Sequence, residues 1–191
     1  MALTDFDCIY ATTRQEWREW LWENHTKKQG VWLIQYKKAT GKPTLTWSEA
    51  VDEALCFGWI DSIKKKRDEE SSMQFFSKRK PSSTWSKINK EKVDRLVENG
   101  LMAPAGLECI KRAKKNGSWS CLDAVEALKV PKDLIAALRR YKGAKSYFDG
   151  LSKSTRKAIL QWVVLAKRPE TRKKRIDEIA VLASQNLTPK Q

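Results

Sequence analysis

Apolar residues at helical and strand spacing predict a helix and then a strand near the start of the chain. Thr13 and Glu16 have the spacing of a capping box. In this motif, a threonine oxygen and a glutamate carboxylate accept hydrogen bonds from backbone amides at the start of a helix. The apolar stripe that follows consists of Trp17, Trp20 and Leu21. Residues 31–36 are rich in β-branched and aromatic side chains and follow Gly30, which is typical of a strand.

A second capping box, from Thr46 to Glu49, predicts a helix that packs against a sheet. Gly58 is placed to end this helix in the left-handed conformation. We expect the acids Glu49, Asp52 and Glu53 to lie on a solvated face of the helix. The apolar stripe has the spacing of a buried helix face and consists of Trp47, Ala50, Val51, Ala54 and Leu55.

Two more strands are predicted at 59–66 and 73–76, joined by the polar turn 68–72. The side chains of residues 59–63 alternate only imperfectly between the two faces of the first of these strands. Together with the strand at 31–36, they predict a small antiparallel sheet of about three strands. The fold class that follows is α+β, with helices flanking the sheet and a helical region after it.

The rest of the chain has helical patterns. A basic turn at 77–84 precedes a helix that Ser83 or Thr84 can cap, with an apolar side of Trp85, Ile88, Leu96 and Val97. Pro104 suits the first turn of a helix at 104–115, with Leu107, Ile110 and Ala113 as its inner positions. Further helices are predicted at 131–140, 143–149, 152–167 and 169–184. We therefore expect an α+β domain at 1–119 and a helical region at 120–191.

Composition and charge favour a globular protein with an excess of positive charge. Hydrophobic residues make up 41% and charged residues 32% of the 191 residues, which is an ordinary globular balance. The apolar runs are all shorter than the roughly 20 residues that span a bilayer, and the first residues do not resemble a signal peptide. We therefore expect a cytoplasmic protein. The net charge is +15, and residues 130–191 carry 15 cations against five acids, which predicts attraction to polyanions.

Candidate catalytic and metal-binding residues are few. The four cysteines, Cys8, Cys56, Cys109 and Cys121, are scattered, and His25 is the only histidine, so we predict no metal site and expect buried, reduced thiols. We expect His25 to cap a helix end or to be solvated rather than to act in catalysis. The sequence contains no P-loop, GxGxxG or GxSxG motif, so no cofactor and no catalytic residue is assigned.

Several longer segments resemble those of the YdeI/OmpD-associated family, also called the bacteriocin-protection proteins. The segments are GKPTLTWSEAVDEALCFGWID (41–61), FSKRKPSSTWSKINKEKV (76–93), LMAPAGLECI (101–110) and AKRPETRKKRI (166–176). The resemblance covers nearly the whole chain and implies a bacterial protein associated with tolerance of bacteriocins or peptide stress. It implies no reaction and no catalytic residue. This chain has Lys78 where the family more often has proline, which loosens the turn.

The hairpin predicted at 59–76 defines a candidate ligand site. It brings Asp61 back toward the basic turn and toward the start of the next helix, where cations, hydroxyls and free amides suit a phosphate or a carboxylate. The alternative is that Asp61 pairs with Arg79 to hold the hairpin, while Trp59 and Trp85 belong to the core. The candidate ligand-binding residues are Trp59, Asp61, Lys78, Arg79, Lys80, Ser83, Thr84, Trp85 and Asn89.

A second candidate site is the basic C-terminal region. Its cations suit the phosphates of DNA or RNA, although the nearby aromatic residues have core-like spacing and no known nucleic-acid-binding motif is present. The alternative is a solvated helix face. The candidate polyanion-binding residues are Arg139, Arg140, Lys167, Arg168, Arg172, Lys173 and Arg175.

Three functional hypotheses follow from these observations. The first is a non-enzymatic, cytosolic bacteriocin- or peptide-stress-tolerance protein that binds an anionic ligand or a protein partner near residues 59–89. The second is an accessory protein that binds nucleic acid through its basic C-terminal face. The third is a small-molecule enzyme of unknown reaction, which would need a closed pocket with Cys56 or Asp61 beside His25.

Overall fold

The computed structural model describes residues 6–189, which form two compact units. The first unit contains residues 6–83 and 88–119, and the second contains residues 84–87 and 120–189. Strands occur in the first unit, and the described helices occur in both. The α+β class predicted from the sequence is therefore confirmed.

A four-stranded sheet organises the first unit. Its strands are β1 (Cys8–Ile9), β2 (Gly30–Tyr36), β3 (Trp59–Lys66) and β4 (Ser71–Lys78), in the order β1-β2-β4-β3. The prediction of three antiparallel strands holds for β2, β4 and β3. It is incomplete because β1 adds a parallel strand beside β2. A strand of two residues is too short to produce a recognisable alternation.

The hairpin of β3 and β4 carries Trp59 opposite Lys78 and Asp61 opposite Phe76. Its register shifts between Asp61 and Lys64, which explains the imperfect alternation of side chains in this strand. β3 is an edge strand, and its final residues, Lys64 to Lys66, are exposed. Exposed lysines on an edge strand discourage pairing with other chains.

Among the described residues, four α-helices lie wholly or mostly in the first unit: α1 (Arg14–Asn24), α2 (Trp47–Cys56), α3 (Lys87–Glu98) and α4 (Pro104–Lys115). α1 packs on the sheet, because the Trp17 ring lies 5.3 Å from the Phe76 ring. The Trp17 indole also donates a 3.0 Å hydrogen bond to the Ala50 carbonyl of α2.

The capping predictions are confirmed in most respects. Thr46 and Glu49 form a complete capping box at the start of α2, and Gly58 after α2 has a left-handed φ of 73°. Thr13 caps α1 through the Glu16 amide. The Glu16 carboxylate, however, accepts from the Thr12 amide at 2.8 Å instead of closing the predicted box on Thr13.

Several predicted core positions are wrong. Trp47 is 45% exposed because it lies in the first turn of α2, where its indole N–H reaches Asp61. Trp85 is buried but precedes α3, which begins at Lys87 and not at the predicted cap. The buried face of α3 instead contains Lys92, Val93 and Leu96. The predicted inner positions that prove to be exposed are Ile88, Val97 and Leu107.

The expectation of a solvated acidic face on α2 is also wrong for two of its three acids. Asp52 and Glu53 are buried, whereas Glu49 is half-buried in the capping box. The cations that neutralise them come from α1 and α3, roughly forty residues away along the chain. Local helical spacing cannot reveal pairs of such long sequence separation.

The second unit contains five helices among its described residues: α5 (Asp123–Glu126), α6 (Lys132–Arg139), α7 (Ala144–Gly150), α8 (Lys153–Val164) and α9 (Pro169–Ser184). The four longer helices confirm the predicted helices to within a few residues. Their shared core includes Leu134, Leu138, Phe148, Ile159, Val163 and Ile179. Within residues 6–189, no helix has the length and apolar character needed to cross a membrane.

Candidate functional site

A cleft of about 390 Å³ lies in the first unit where α1, α2 and the β3–β4 hairpin end beside α4. We call it the Arg79 cleft. Its charged and polar lining includes His25, Lys78, Arg79, Glu108 and Arg112. Its apolar and sulfur-containing lining includes Phe57, Trp59 and Cys109.

Local structure places these side chains. α2 ends at the left-handed Gly58, so the chain turns directly into Trp59 at the start of β3. Trp59 pairs with Lys78, which is the last residue of β4. The Arg79 amide then donates a 3.0 Å hydrogen bond to the Gly58 carbonyl, which fixes the backbone at the mouth of the hairpin.

Arg79 is the most unusual group of the cleft. Its side chain lines the cleft, yet the residue is only 5% exposed. Burial lowers the pKa of its guanidinium to about 10, and the nearby Cys109 and Asp61 oppose this shift. The group still carries its proton at neutral pH, so it is a desolvated cation. An anion in the cleft would offset that desolvation.

Two further cations and one carboxylate share the cleft. The Lys78 ammonium donates to the Thr26 carbonyl at 2.7 Å, which fixes it beside the end of α1. Glu108 and Arg112 are exposed and lie one turn apart on α4. Three cations therefore face a single carboxylate, and the local field favours an anionic ligand.

α4 approaches α2 closely at Gly106. A Cβ atom at this position would lie 2.2 Å from the Cys56 carbonyl oxygen, so any side chain would overlap backbone. The Ala103 amide also donates to the same carbonyl at 3.1 Å. This close contact fixes the helix that carries Glu108, Cys109 and Arg112 into the cleft.

His25 caps α1, as one of the two sequence interpretations proposed. Its Nδ1 atom lies 2.9 Å from the Leu21 carbonyl oxygen, and its ring packs against Phe57 at 5.2 Å. Because a carbonyl oxygen only accepts, Nδ1 carries the hydrogen in this bond. In the neutral ring, Nε2 is then an acceptor.

The structure brings only some of the predicted ligand-binding residues to the cleft. Trp59, Lys78 and Arg79 line it. Asp61 lies outside the lining and accepts hydrogen bonds from the Trp47 indole at 2.8 Å and from the Gln74 amide at 3.5 Å. Also outside the lining are Lys80, Ser83 and Asn89, which belong to the first unit, and Thr84 and Trp85, which belong to the second.

The proposed core role of the two tryptophans agrees with their burial. Trp59 and Trp85 are each 1% exposed. The Trp59 indole also donates to the His25 carbonyl at 3.4 Å. Trp59 is therefore a core residue that also lines the cleft.

Sequence reasoning missed the contribution of α4. The one-turn spacing of Glu108 and Arg112 was visible, but spacing alone does not place a helix beside a hairpin about thirty residues earlier. Gly106 was the available signal, since a glycine within a helical pattern often marks close backbone approach.

The cysteines differ in their environments. Cys56 is fully buried, and this burial raises its pKa to about 11 against the opposing effect of Arg18, so its thiol is protonated at neutral pH. Cys8 is exposed, which corrects the expectation that all four thiols are buried. Among the described residues, no group of three or more His, Cys, Asp or Glu side chains could hold a metal ion.

The C-terminal cations fall into two groups. Arg172 forms a two-pronged pair with Asp133 at 2.8 and 3.1 Å, and its hydrogen bond lowers the pKa of that carboxyl. Arg175 lies over the Trp162 ring at 5.0 Å, and Arg140 lies 3.9 Å from Asp177. Of the seven candidate polyanion-binding residues, the four that are exposed and have no such role in the described contacts are Arg139, Lys167, Arg168 and Lys173.

Two family models match the chain. Residues 9–109, just over half of the chain, match a domain of unknown function, DUF8412. Residues 127–186 match the family described as bacteriocin-protection, YdeI or OmpD-associated. Neither the curated proteins nor the solved structures gave a significant match.

The two matches correct the extent of the resemblance seen in the sequence. Of the segments that suggested it, only 166–176 lies within the bacteriocin-protection match, while 41–61 and 76–93 lie within the DUF8412 match. The residues named above as lining the Arg79 cleft, apart from Arg112, fall within the DUF8412 match. Residues 127–186 match the model of the bacteriocin-protection, YdeI or OmpD-associated family, and the chain belongs to the DUF8412 family.

Proposed function

We propose that this chain is a non-enzymatic, cytosolic bacteriocin- or peptide-stress-tolerance protein whose Arg79 cleft binds an anionic ligand or an anionic group of a partner. The single observation that carries the proposal is the buried Arg79 guanidinium at the wall of an open cleft. In this proposal, residues 1–119 contain the ligand site and residues 120–191 form a separate helical region.

The chemistry of the cleft favours a carboxylate or a phosphate on a small, partly apolar ligand. A guanidinium offers a planar pair of donors that matches both groups, and Lys78 and Arg112 add positive charge. Phe57 and Trp59 supply aromatic surface on the same cleft. A space of about 390 Å³ accommodates a ligand of metabolite size.

The proposed tolerance role is supported by the family match at 127–186, whose description names bacteriocin protection. The non-enzymatic role is supported by the groups that a thiol reaction would need. The Cys56 thiol is protonated at neutral pH and buried, and Nδ1 of His25 is engaged by a backbone carbonyl. Neither group is arranged as an activated nucleophile with its base.

Survival of a deletion strain during exposure to a panel of bacteriocins tests the proposal. The strain is complemented with wild type or with a triple Lys78→Ala, Arg79→Ala, Lys80→Ala variant. The matched control is the triple Lys167→Ala, Arg168→Ala, Lys173→Ala variant, which removes the same charge from the second unit. We expect protection to be lost only in the first triple variant. If that variant folds normally and protects fully, the Arg79 cleft has no role in tolerance.

A second candidate function, nucleic-acid binding by the C-terminal region, is favoured by the exposed Arg139, Lys167, Arg168 and Lys173. The engagement of Arg172 and Arg175 within the unit reduces the charge available for phosphates. Electrophoretic shift of random DNA and RNA at two salt concentrations tests this candidate. The absence of a salt-sensitive shift at micromolar protein would exclude it.

A further inference from the structure

A second cleft, of about 520 Å³, lies in the first unit beside the first turn of α2. We call it the Trp47 cleft. Its lining includes two aromatic residues, Trp47 and Tyr36, and three lysines, Lys37, Lys38 and Lys64. The remaining lining side chains are neutral, so the cleft has no carboxylate of its own. This combination differs from the Arg79 cleft, where Glu108 is present.

Trp47 is an exposed but oriented ring. It is 45% exposed, although an indole of this size is usually buried. Its Nε1 atom donates a 2.8 Å hydrogen bond to the Asp61 carboxylate of β3, and its backbone begins a helix fixed by the Thr46–Glu49 capping box. The ring is therefore held in place before any ligand arrives, which lowers the entropic cost of stacking on it.

The three lysines of the cleft remain available to a ligand. Neighbouring cations are already neutralised, since Lys42 pairs with Glu70 at 2.6 Å and Lys66 pairs with Glu69. Within residues 6–189, no carboxylate partner is seen for Lys37, Lys38 or Lys64. The capping box already uses two backbone amides beside the cleft, since the Glu49 carboxylate accepts from the Thr46 amide and the Thr46 hydroxyl accepts from the Glu49 amide.

We propose that the Trp47 cleft binds an aromatic base joined to a phosphate. The base stacks on the Trp47 indole, and the phosphate is held by Lys37, Lys38 and Lys64. A simple anion would use the lysines but not the exposed indole, whereas a nucleotide unit uses both. The ligand is either a free mononucleotide or one unit of a single-stranded nucleic acid. This site is independent of the Arg79 cleft.

Fluorescence anisotropy with a labelled oligo(dT) of roughly 12 nucleotides tests the proposal, with unlabelled thymidine monophosphate as competitor. Trp47→Ala should weaken binding by roughly tenfold or more, because the loss of one stacked base has about that effect. Trp22→Ala is the matched control, since Trp22 is 67% exposed and lies outside the cleft. Its affinity should equal that of wild type. Unchanged thermal unfolding of both variants verifies folding.

The salt dependence separates stacking from charge. The slope of the logarithm of the association constant against the logarithm of salt concentration is negative. Lys64→Gln should reduce its magnitude by about 0.7, the value for one phosphate of a single strand. Trp47→Ala should leave that slope unchanged while lowering the affinity. Displacement by thymidine monophosphate identifies the free nucleotide as a sufficient ligand, and binding of the oligonucleotide alone identifies a single strand.

Three results would overturn the proposal. The first is equal affinity of Trp47→Ala and Trp22→Ala for oligo(dT). The second is loss of binding in the Lys167→Ala, Arg168→Ala, Lys173→Ala variant with no effect of Trp47→Ala, which assigns the binding to the second unit. The third is the absence of binding of both oligo(dT) and thymidine monophosphate by wild type.

Discussion

Two groups of buried charge in the first unit have opposite surroundings. On α2, Asp52 and Glu53 are enclosed by cations: Glu53 accepts from Arg14 and Arg18 at 2.6 and 2.7 Å, and Asp52 accepts from Lys92 at 2.6 Å and from Arg95. In the Arg79 cleft, the buried guanidinium lines an open space that three cations share with one carboxylate.

The two groups differ in their surroundings, because only Arg79 lines a cleft that opens to solvent. The Lys92 ammonium also donates to the Ser48 hydroxyl at 2.7 Å and to its carbonyl at 3.2 Å, so its three hydrogens are used within the protein. Such a cluster stabilises the packing of helices. The Arg79 cleft retains an excess of positive charge beside solvent, where an anion can compensate it.

The largest expected change in stability concerns Asp52 and the cations that pair with it. Asp52→Ala leaves the buried Lys92 ammonium without its carboxylate, so we expect the free energy of unfolding to fall by about 3–5 kcal/mol. Urea unfolding measures this change. The matched control is Asp149→Ala, which breaks the half-exposed Lys145–Asp149 pair on α7 and should change stability by only about 0.5 kcal/mol. Equal effects of the two substitutions would contradict the structural role of the Asp52 cluster.

The next effect concerns the helix that forms one wall of the Arg79 cleft. In Gly106→Ala, the new methyl group overlaps the Cys56 carbonyl, so we expect a loss of about 1–3 kcal/mol as α4 moves away from α2. Gly150→Ala is the control, because a Cβ atom there meets nothing within 4 Å. Its stability should be unchanged or slightly higher. A neutral Gly106→Ala would show that α4 is not fixed at this point.

Cys56 ends α2, and its carbonyl lies against Gly106 of α4. The raised pKa of its thiol predicts that stability depends on pH. The unfolded thiol ionises near pH 9, whereas the folded thiol ionises near pH 11, so the stability that Cys56 contributes is lost as pH rises between these values. The stability difference between wild type and Cys56→Ala should therefore shift by roughly 1 kcal/mol against wild type between pH 8 and pH 10. Urea unfolding at both pH values measures it, and a constant difference would contradict the burial of this thiol.

The smallest effect concerns the first turn of α2, next to Trp47. Thr46→Ala removes the hydroxyl that accepts from the Glu49 amide, so we expect a loss of about 1 kcal/mol in urea unfolding. Thr46→Ser keeps a hydroxyl at the cap and should restore most of this stability. If Thr46→Ala is as stable as wild type, the capping box does not contribute to the order of the Trp47 cleft.

Local patterns predicted much of the fold. The capping box of α2, the buried Ala50, Val51, Ala54 and Leu55, and the left-handed Gly58 depend on residues within a few positions of one another, so the sequence was sufficient for them. The hairpin pairing of Trp59 with the region of Lys78 also followed from two strands and a short turn. The structure places Trp59, Lys78 and Arg79 on one cleft, whereas Asp61 and Trp85, which were predicted to join them, lie outside its lining.

Non-local contacts account for what the sequence did not predict. Asp52 is buried because Lys92, forty residues later, pairs with it, and a helical wheel shows only a charged position. Asp61 turns toward Trp47 because the register shift after Asp61 and the first turn of α2 set its direction. α4 contributes Arg112 to the Arg79 cleft through packing at Gly106, which no local spacing specifies.

The most direct test of the account is a titration of the isotopically labelled protein with inorganic phosphate at constant ionic strength, followed by the backbone amide resonances in NMR spectra. The account predicts saturable shifts at Gly58, Lys78 and Arg112, with binding weakened roughly tenfold in Arg112→Gln and unchanged in Lys111→Gln, whose side chain lies outside the cleft. Shifts that do not saturate, or that spread over exposed lysines and leave Gly58 and Lys78 unmoved, would contradict anion binding in the Arg79 cleft.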